Sequence, residues 1–233
     1  MFQAEGAAVA RDVVDVVIAD DEELVRTGFE MILDATAGIR VVGVAKDGVE
    51  CVELARRLAP DVVLVDIRMP RLDGLEVTRI LADERAGAAA PNVVVITTFD
   101  QDDYVRDALR FGACGFLLKD ASPMLLVEAV RAAARGDALV SPAVTVRLLR
   151  GLEGAEPGPA PSDGAPAGLS ERERDIVRLV AVGRTNQEIC TELYLSLSTV
   201  KTYLARIQAK VAARNRVEIA AWAWQHGVID PKR

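Results

Sequence analysis

The sequence is short of metal-binding and redox-active side chains: one histidine, His226, and three cysteines, Cys51, Cys114 and Cys190, in 233 residues. No Cys or His cluster has metal-ligand spacing, which excludes a structural zinc site. The cysteines are odd in number and far apart, which predicts reduced, buried thiols rather than a disulfide framework. No apolar run approaches the ~18 residues of a membrane span, and no basic segment leads into an apolar one at the N-terminus. A membrane location is thereby excluded and the cytoplasm expected. No Gly-rich loop followed by Lys is present to cradle a nucleotide, and no repeat of fixed period is visible. Aromatic residues are only 4% against 51% hydrophobic residues, so the cores must be aliphatic.

Charge divides the chain. Residues 169–233 carry 11 Lys and Arg against 7 Asp and Glu, a net of +4, which leaves −11 for the rest. An acidic front and a basic back point to two tasks. Residues 1–12 read as a disordered lead. From Val13 to Arg135, short Val- and Ile-rich runs (Val13–Ala19, Ile39–Ala45, Val62–Asp66, Asn92–Thr98, Gly115–Lys119) alternate with amphipathic helical stretches. Runs apolar on both faces are the mark of parallel strands covered by helices, so the fold class is α/β, a doubly wound five-stranded parallel sheet. Residues 136–150 read as a short connecting helix. Gly151–Gly168 holds five Gly and four Pro in 18 positions, too little apolar surface to offset chain entropy, so 136–167 reads as a linker. Residues 168–233 read as an all-α four-helix module. Its helices start at Ser170 (a capping box with Glu173), Asn186, Ser198 and Val217.

In a doubly wound sheet, ligands bind at the C-terminal ends of the strands. There the sequence places Asp20-Asp21, Asp66, Thr97-Thr98 and Lys119. Three carboxylates repel one another unless a cation joins them, and an all-oxygen set suits Mg²⁺. A lysine and a hydroxyl beside them suit a phosphoryl group, which one carboxylate could take as nucleophile. Each residue alone has a plainer reading, as a helix cap, a turn residue or a solvated charge. Their arrival at the same end of four strands favours chemistry.

In the back module, Tyr194–Val217 carries Lys201, Arg206, Lys210, Arg214 and Arg216 with no acidic residue. At 100° per residue, Val200, Leu204, Ile207 and Val211 form a core stripe. The opposite face carries Thr202, Ala205 and Ala209 flanked by Lys201 and Arg206, small enough to approach base edges and charged enough to reach phosphates. With the preceding short helix and the turn at Leu195–Ser198, this makes a helix-turn-helix for double-stranded DNA. Ser198, Thr199, Lys201, Thr202, Ala205, Arg206 and Lys210 are the candidate contacts. In the last helix Val217, Ala220, Ala221, Trp224 and Val228 form the expected core stripe. Ile219 and Trp222 then point outward as candidate contacts of a homodimer, a surface that the front domain could cover until released.

These residues resemble two known families. Asp20-Asp21, Asp66-Ile67-Arg68-Met69-Pro70 with Asp73-Gly74, Thr97 and Lys119 are similar to the receiver domain of response regulators over 13–135. Leu169-Ser170-x-Arg172-Glu173-Arg174, Asn186-x-Glu188-Ile189, Ser198-Thr199-Val200-Lys201-Thr202 and Arg216 resemble the LuxR-type helix-turn-helix, with Tyr203, Cys190 and Val211 replacing more usual residues. Together they resemble the NarL/FixJ architecture. The resemblance implies Asp66 as phosphoacceptor and Mg²⁺ at Asp20, Asp21, Asp66 and the Arg68 carbonyl. It further implies Thr97 as switch hydroxyl, Lys119 as phosphoryl-binding cation and Phe116 as the rotating aromatic. The implied partners are a sensor histidine kinase, DNA, a second copy of the chain on phosphorylation, and RNA polymerase. No enzyme activity is implied beyond self-phosphotransfer and slow loss of the phosphoryl group. A haloacid dehalogenase-type phosphatase would need a second Asp where Arg68 stands, and a protein-binding adaptor would not need the basic helix face.

Overall fold

In the computed structural model, the residues described are 13–84, 91–98, 102–140 and 168–228. The lead over 1–12 and residues 141–167 of the expected linker lie outside them. β1 (Val14–Ala19), β2 (Ile39–Ala45), β3 (Val62–Asp66), β4 (Asn92–Thr97), β5 (Gly115–Leu118) and β6 (Leu139–Val140) form one all-parallel sheet in the order β2-β1-β3-β4-β5-β6. Alternate residues feed two cores, as the strand pleat requires. Val17, Val63, Val65, Val95 and Phe116 face α2 (Gly48–Leu58), α3 (Gly74–Asp83) and α4 (Asp102–Arg110). Val16, Ile18, Leu64, Ile96 and Leu117 face α1 (Glu23–Asp34) and α5 (Pro123–Arg135). Both faces are covered, which is why the strands read as unbroken apolar runs.

The five expected strands are present, and a sixth was not expected: Leu139–Val140, at the front of the 136–150 segment read as a connecting helix, is a strand, while 141–150 lie outside the described residues. Ser122 caps α5 by accepting from the Leu125 amide, Pro123 opens it, and Gly136 ends it at φ +80°. The chain then returns to the sheet, and Leu139–Val140 pairs with Gly115 and Phe116.

After Gly168 come α6 (Glu171–Ala181), α7 (Asn186–Leu193), α8 (Leu197–Val211) and α9 (Arg216–Gln225). Ser170 and Glu173 form the expected capping box. Ser196, not Ser198, caps α8, since its hydroxyl accepts from the Thr199 amide at 3.1 Å. Ser198 therefore sits in the first turn. Val200, Leu204 and Ile207 bury against Ile176, Val177, Val180 and Ile189 as the stripe predicted.

The reading of α9 needs correction. Ile219 is 0% exposed and lies with Ala223 in the core of its own module, so it is not a free dimer contact. Ala221 is exposed, and Val217 packs on the front domain's core rather than its own. Trp222 is half-buried and stacks on His226 with ring centroids 4.5 Å apart. The cause is that α9 is packed on two sides, by its own module and by α4, so its apolar residues do not define one stripe. Cys51 and Cys114 are buried as expected, whereas Cys190 is only half-buried. No helix among the described residues is long and apolar enough to cross a membrane.

Candidate functional site

The strand order reverses at β1, whose neighbours are β2 and β3, and the crevice at that point collects the acidic residues. Asp20 follows β1 directly and Asp66 ends β3; they are 1% and 5% exposed, while Asp21 is open to solvent. Carboxylate oxygens of Asp20, Asp21 and Asp66 all lie within 4.8 Å of one another. Local bonds fix them. The Arg26 guanidinium donates to the Asp20 carbonyl at 2.7 Å, the Glu22 amide to Asp20 Oδ1 at 2.9 Å, and the Ile67 amide to Asp66 Oδ1 at 2.8 Å. Gly74 is needed where α3 begins, because a Cβ there would lie 2.0 Å from the Asp66 carbonyl oxygen.

Lys119, just past β5, enters this cluster. Its ammonium lies 2.7 Å from Asp20, 3.2 Å from Asp66 and 3.1 Å from Glu22. Burial raises the Asp66 carboxyl to about 6; Lys119 opposes the rise and the Asp20 charge adds to it. Burial alone would lower Lys119, but its bond to Asp20 and the charge of Asp66 hold it above its ordinary value. One cation among four carboxylates leaves an excess of negative charge, and the donor set is all hard oxygen. Asp20, Asp21 and Asp66 therefore fit a divalent cation such as Mg²⁺, and the exposed Asp21 side leaves room for water or phosphate oxygen. Thr97 ends β4, fully buried, and its carbonyl accepts from the Lys119 amide at 2.9 Å. Phe116 is fully buried on β5, packed toward the α4 side. The sequence reading missed Glu22, although it directly continues the Asp20-Asp21 run.

On α8, Lys201, Thr202, Ala205 and Arg206 are exposed on the face opposite the core, with Ser198 exposed and Thr199 half-buried at its start. Two of the candidate cations are engaged. Lys201 Nζ donates to the Ala134 carbonyl in the last turn of α5, at 2.8 Å. Lys210 Nζ bonds the nearly buried Glu173 at 2.7 Å and the Gly168 carbonyl at 2.9 Å, so within this fold it ties α8 to the start of α6. Thr202 donates to the Ser198 carbonyl.

The two modules meet through buried polar groups that sequence reasoning did not find. Asn215 is 1% exposed; its Nδ2 donates to the Leu109 and Ala113 carbonyls at 2.6 and 3.0 Å. Asn186 donates from its side chain to the Arg135 carbonyl at 2.7 Å and from its backbone to Asp137 Oδ1 at 2.9 Å, placing a front-domain carboxylate at the N-terminus of α7. Arg216 reaches Asn186 Oδ1 at 2.7 Å and approaches Asp137 at 3.8 Å. Arg214 donates to the Arg110 carbonyl. Beside these bonds, Leu109 and Arg110 of α4 and Val217 and Trp222 of α9 line a groove of about 540 Å³. The acceptors are mostly backbone carbonyls, which carry no mark in a sequence.

Residues 16–131 match the response regulator receiver domain, and residues 167–223 match bacterial regulatory proteins of the luxR family. The transcriptional regulatory protein YxjL of Bacillus subtilis (strain 168) is 35% identical over 221 residues, covering 94% of this chain and 99% of that protein. The nitrate/nitrite response regulator protein NarL of Escherichia coli (strain K12) is 34% identical over 213 residues, 91% of this chain and 96% of that one. The crystal structure of the response regulator ChrA, from a heme-sensing two-component system, is 32% identical with a TM-score of 0.52, covering 94% of this chain and all of that one. With both modules matched in order and the carboxylate pocket and helix-turn-helix in their places, this chain belongs to the two-component response regulators that join a receiver to a LuxR-type DNA-binding domain.

Proposed function

We propose that Asp66 takes a phosphoryl group from a sensor histidine kinase in the cytoplasm and that this frees the output module to bind DNA. The receiver unit is 13–135 with the short strand at 139–140, and the output unit begins at 168. Lys119 and Thr97 would bind the phosphoryl oxygens. Mg²⁺ held by Asp20, Asp21, Asp66 and the Arg68 carbonyl would supply charge neutralisation. In the transfer, an Asp66 carboxylate oxygen forms the new bond to phosphorus as the bond from phosphorus to the donor histidine nitrogen breaks. The electron pair leaves with that nitrogen. Lys119 would then exchange Asp20 and Glu22 for the phosphoryl group, which would alter the end of β4 at Thr97 and the strand β5 that carries Phe116.

One observation carries the regulatory half: Lys201, on the outward face of α8, is bonded to the receiver's Ala134 carbonyl. A recognition helix held by the receiver cannot enter a major groove. Release would free Lys201 and the helix face it shares with Arg206 for DNA, and would also bare Val217 and Trp222, the apolar surface that a second copy could cover to read paired half-sites. The test is selection of bound sequences from random DNA, with and without a small phosphodonor. Wild-type protein should bind a defined site after phosphorylation, and Asp66→Ala should neither take label nor gain affinity. Label retained in Asp66→Ala would overturn the site, and equal DNA binding with and without phosphorylation would overturn the switch.

A further inference from the structure

Among the described residues, four non-glycine residues have positive φ: Ala59, Arg71, Tyr194 and Ala212. Three of them end helices, where a backbone bond to the carbonyl four residues back supports the left-handed turn. Arg71, at φ +67°, does not. It sits in the stretch 67–73 between Asp66 and α3, which also contains Arg68, whose carbonyl belongs to the proposed Mg²⁺ site. A side chain with a Cβ resists this conformation, so something must hold it there.

The holder is Asp47. Its side chain is 4% exposed, with both oxygens committed: Oδ1 accepts from the Glu50 amide at 3.0 Å as the cap of α2, and Oδ2 takes the Arg71 guanidinium. A second contact clamps the same place. Gly48 lies so close to the stretch that a Cβ there would be 2.1 Å from the Leu72 carbonyl oxygen. From Arg71 and Leu72 the restraint continues inward through Leu72 N to the Pro70 carbonyl and Gly74 N to the Ile67 carbonyl, both at 2.8 Å. Ile67 N in turn holds Asp66 Oδ1. An exposed ion pair contributes little, but this one has a buried carboxylate fixed in advance by a helix start, so forming it orders only the arginine.

We propose that Asp47 and Arg71 are a positioning pair, holding the stretch after Asp66 in the one backbone conformation that presents the Arg68 carbonyl and the Asp66 carboxylate together to Mg²⁺. This rests on the reading of the pocket as a Mg²⁺-dependent phosphoacceptor. Neither residue touches the reacting atoms; both act through the backbone.

The test measures Mg²⁺ binding by calorimetry, phosphoryl uptake from acetyl phosphate and Tm on full-length protein. Asp47→Asn keeps the helix cap, since Asn caps as well as Asp, but removes the charge that holds Arg71. Asp47→Asn and Arg71→Ala should each weaken Mg²⁺ binding about tenfold, the scale seen when groups supporting a metal ligand are lost. Arg71→Gly also deletes the pair, but glycine adopts positive φ freely, so it should bind Mg²⁺ more tightly than Arg71→Ala. Wild-type Mg²⁺ affinity in Asp47→Asn and Arg71→Ala, with only a lower Tm, would overturn the proposal, as would equal losses in Arg71→Gly and Arg71→Ala. Wild-type protein that neither binds Mg²⁺ nor takes label would instead overturn the reading of the pocket.

Discussion

Asn215→Asp should unlock the output module without phosphorylation. The substitution is isosteric and keeps the start of α9, because Asn215 Oδ1 accepts from the Glu218 amide at 2.9 Å and an Asp oxygen can do the same. What it reverses is the other end of the side chain. The amide that now donates to the Leu109 and Ala113 carbonyls becomes a carboxylate oxygen facing two acceptors in a buried place. Two hydrogen bonds of about 1 kcal/mol each are lost, and burying an unsatisfied charged acceptor adds ~1–3 kcal/mol. The closed state should lose about 3–5 kcal/mol, at least a hundredfold in the ratio of closed to open. Apparent DNA affinity follows the open fraction, so unphosphorylated Asn215→Asp should approach the affinity of the isolated module 168–233. Fluorescence anisotropy with a duplex selected by the wild-type protein measures both. Unchanged affinity in the full-length variant would refute the closed contact as the brake. An equal change in the isolated module would show that Asn215 acts within its own domain.

Three further outcomes follow from the same geometry. Without Mg²⁺, stability should fall as pH rises from about 4 to 7, because the folded Asp66 carboxyl sits near 6 rather than its ordinary 3.8, so the fold retains a proton that the unfolded chain releases. Two pKa units correspond to about 3 kcal/mol, which solvent screening reduces to roughly 1–2; Asp66→Asn should remove this slope in urea titrations, and a slope that persists would place the titration elsewhere. Lys201→Ala should cost the isolated module about 1–3 kcal/mol of specific binding; full-length unphosphorylated protein should lose less, because the bond to Ala134 that restrains it goes too. Trp222→Ala should leave labelling of Asp66 intact and weaken binding to paired half-sites far more than to one; equal losses on both would confine Trp222 to packing its own domain.

The receiver pocket was legible because its chemistry lies at strand ends. Ala19, Asp66 and Thr97 end runs apolar on both faces, and such runs end abruptly where the sheet does. The sixth strand was not legible, since two residues have no period. The start of α8 was misplaced by two residues because Ser196 and Ser198 both precede an apolar stripe, and only the Thr199 amide decides between them. Ile219 was misread because α9 packs on two sides, and a stripe drawn for one buried face does not apply there. Asn186 stood in the sequence only as a helix start and motif residue and Asn215 as an unremarkable polar one, whereas in the fold they are almost fully buried and bonded to carbonyls of another domain.

That closed contact has features of a switch rather than a permanent interface. It is built largely from single hydrogen bonds to backbone carbonyls, each of modest net strength in exchange with water. It also carries a cost: Arg216 is held in the interface with its pKa lowered by burial, and its Nη2 has no hydrogen-bond partner among the described residues. Opening would return that donor to water and offset part of what the Asn186 and Asn215 bonds contribute. The balance between closed and open therefore rests on a few kcal/mol, within reach of the rearrangement that would follow if Lys119 left Asp20 for a phosphoryl group. Linkage then runs in both directions. If DNA and the receiver compete for Lys201, any site that binds the open form would favour the phosphorylated receiver by the same factor that phosphorylation favours DNA.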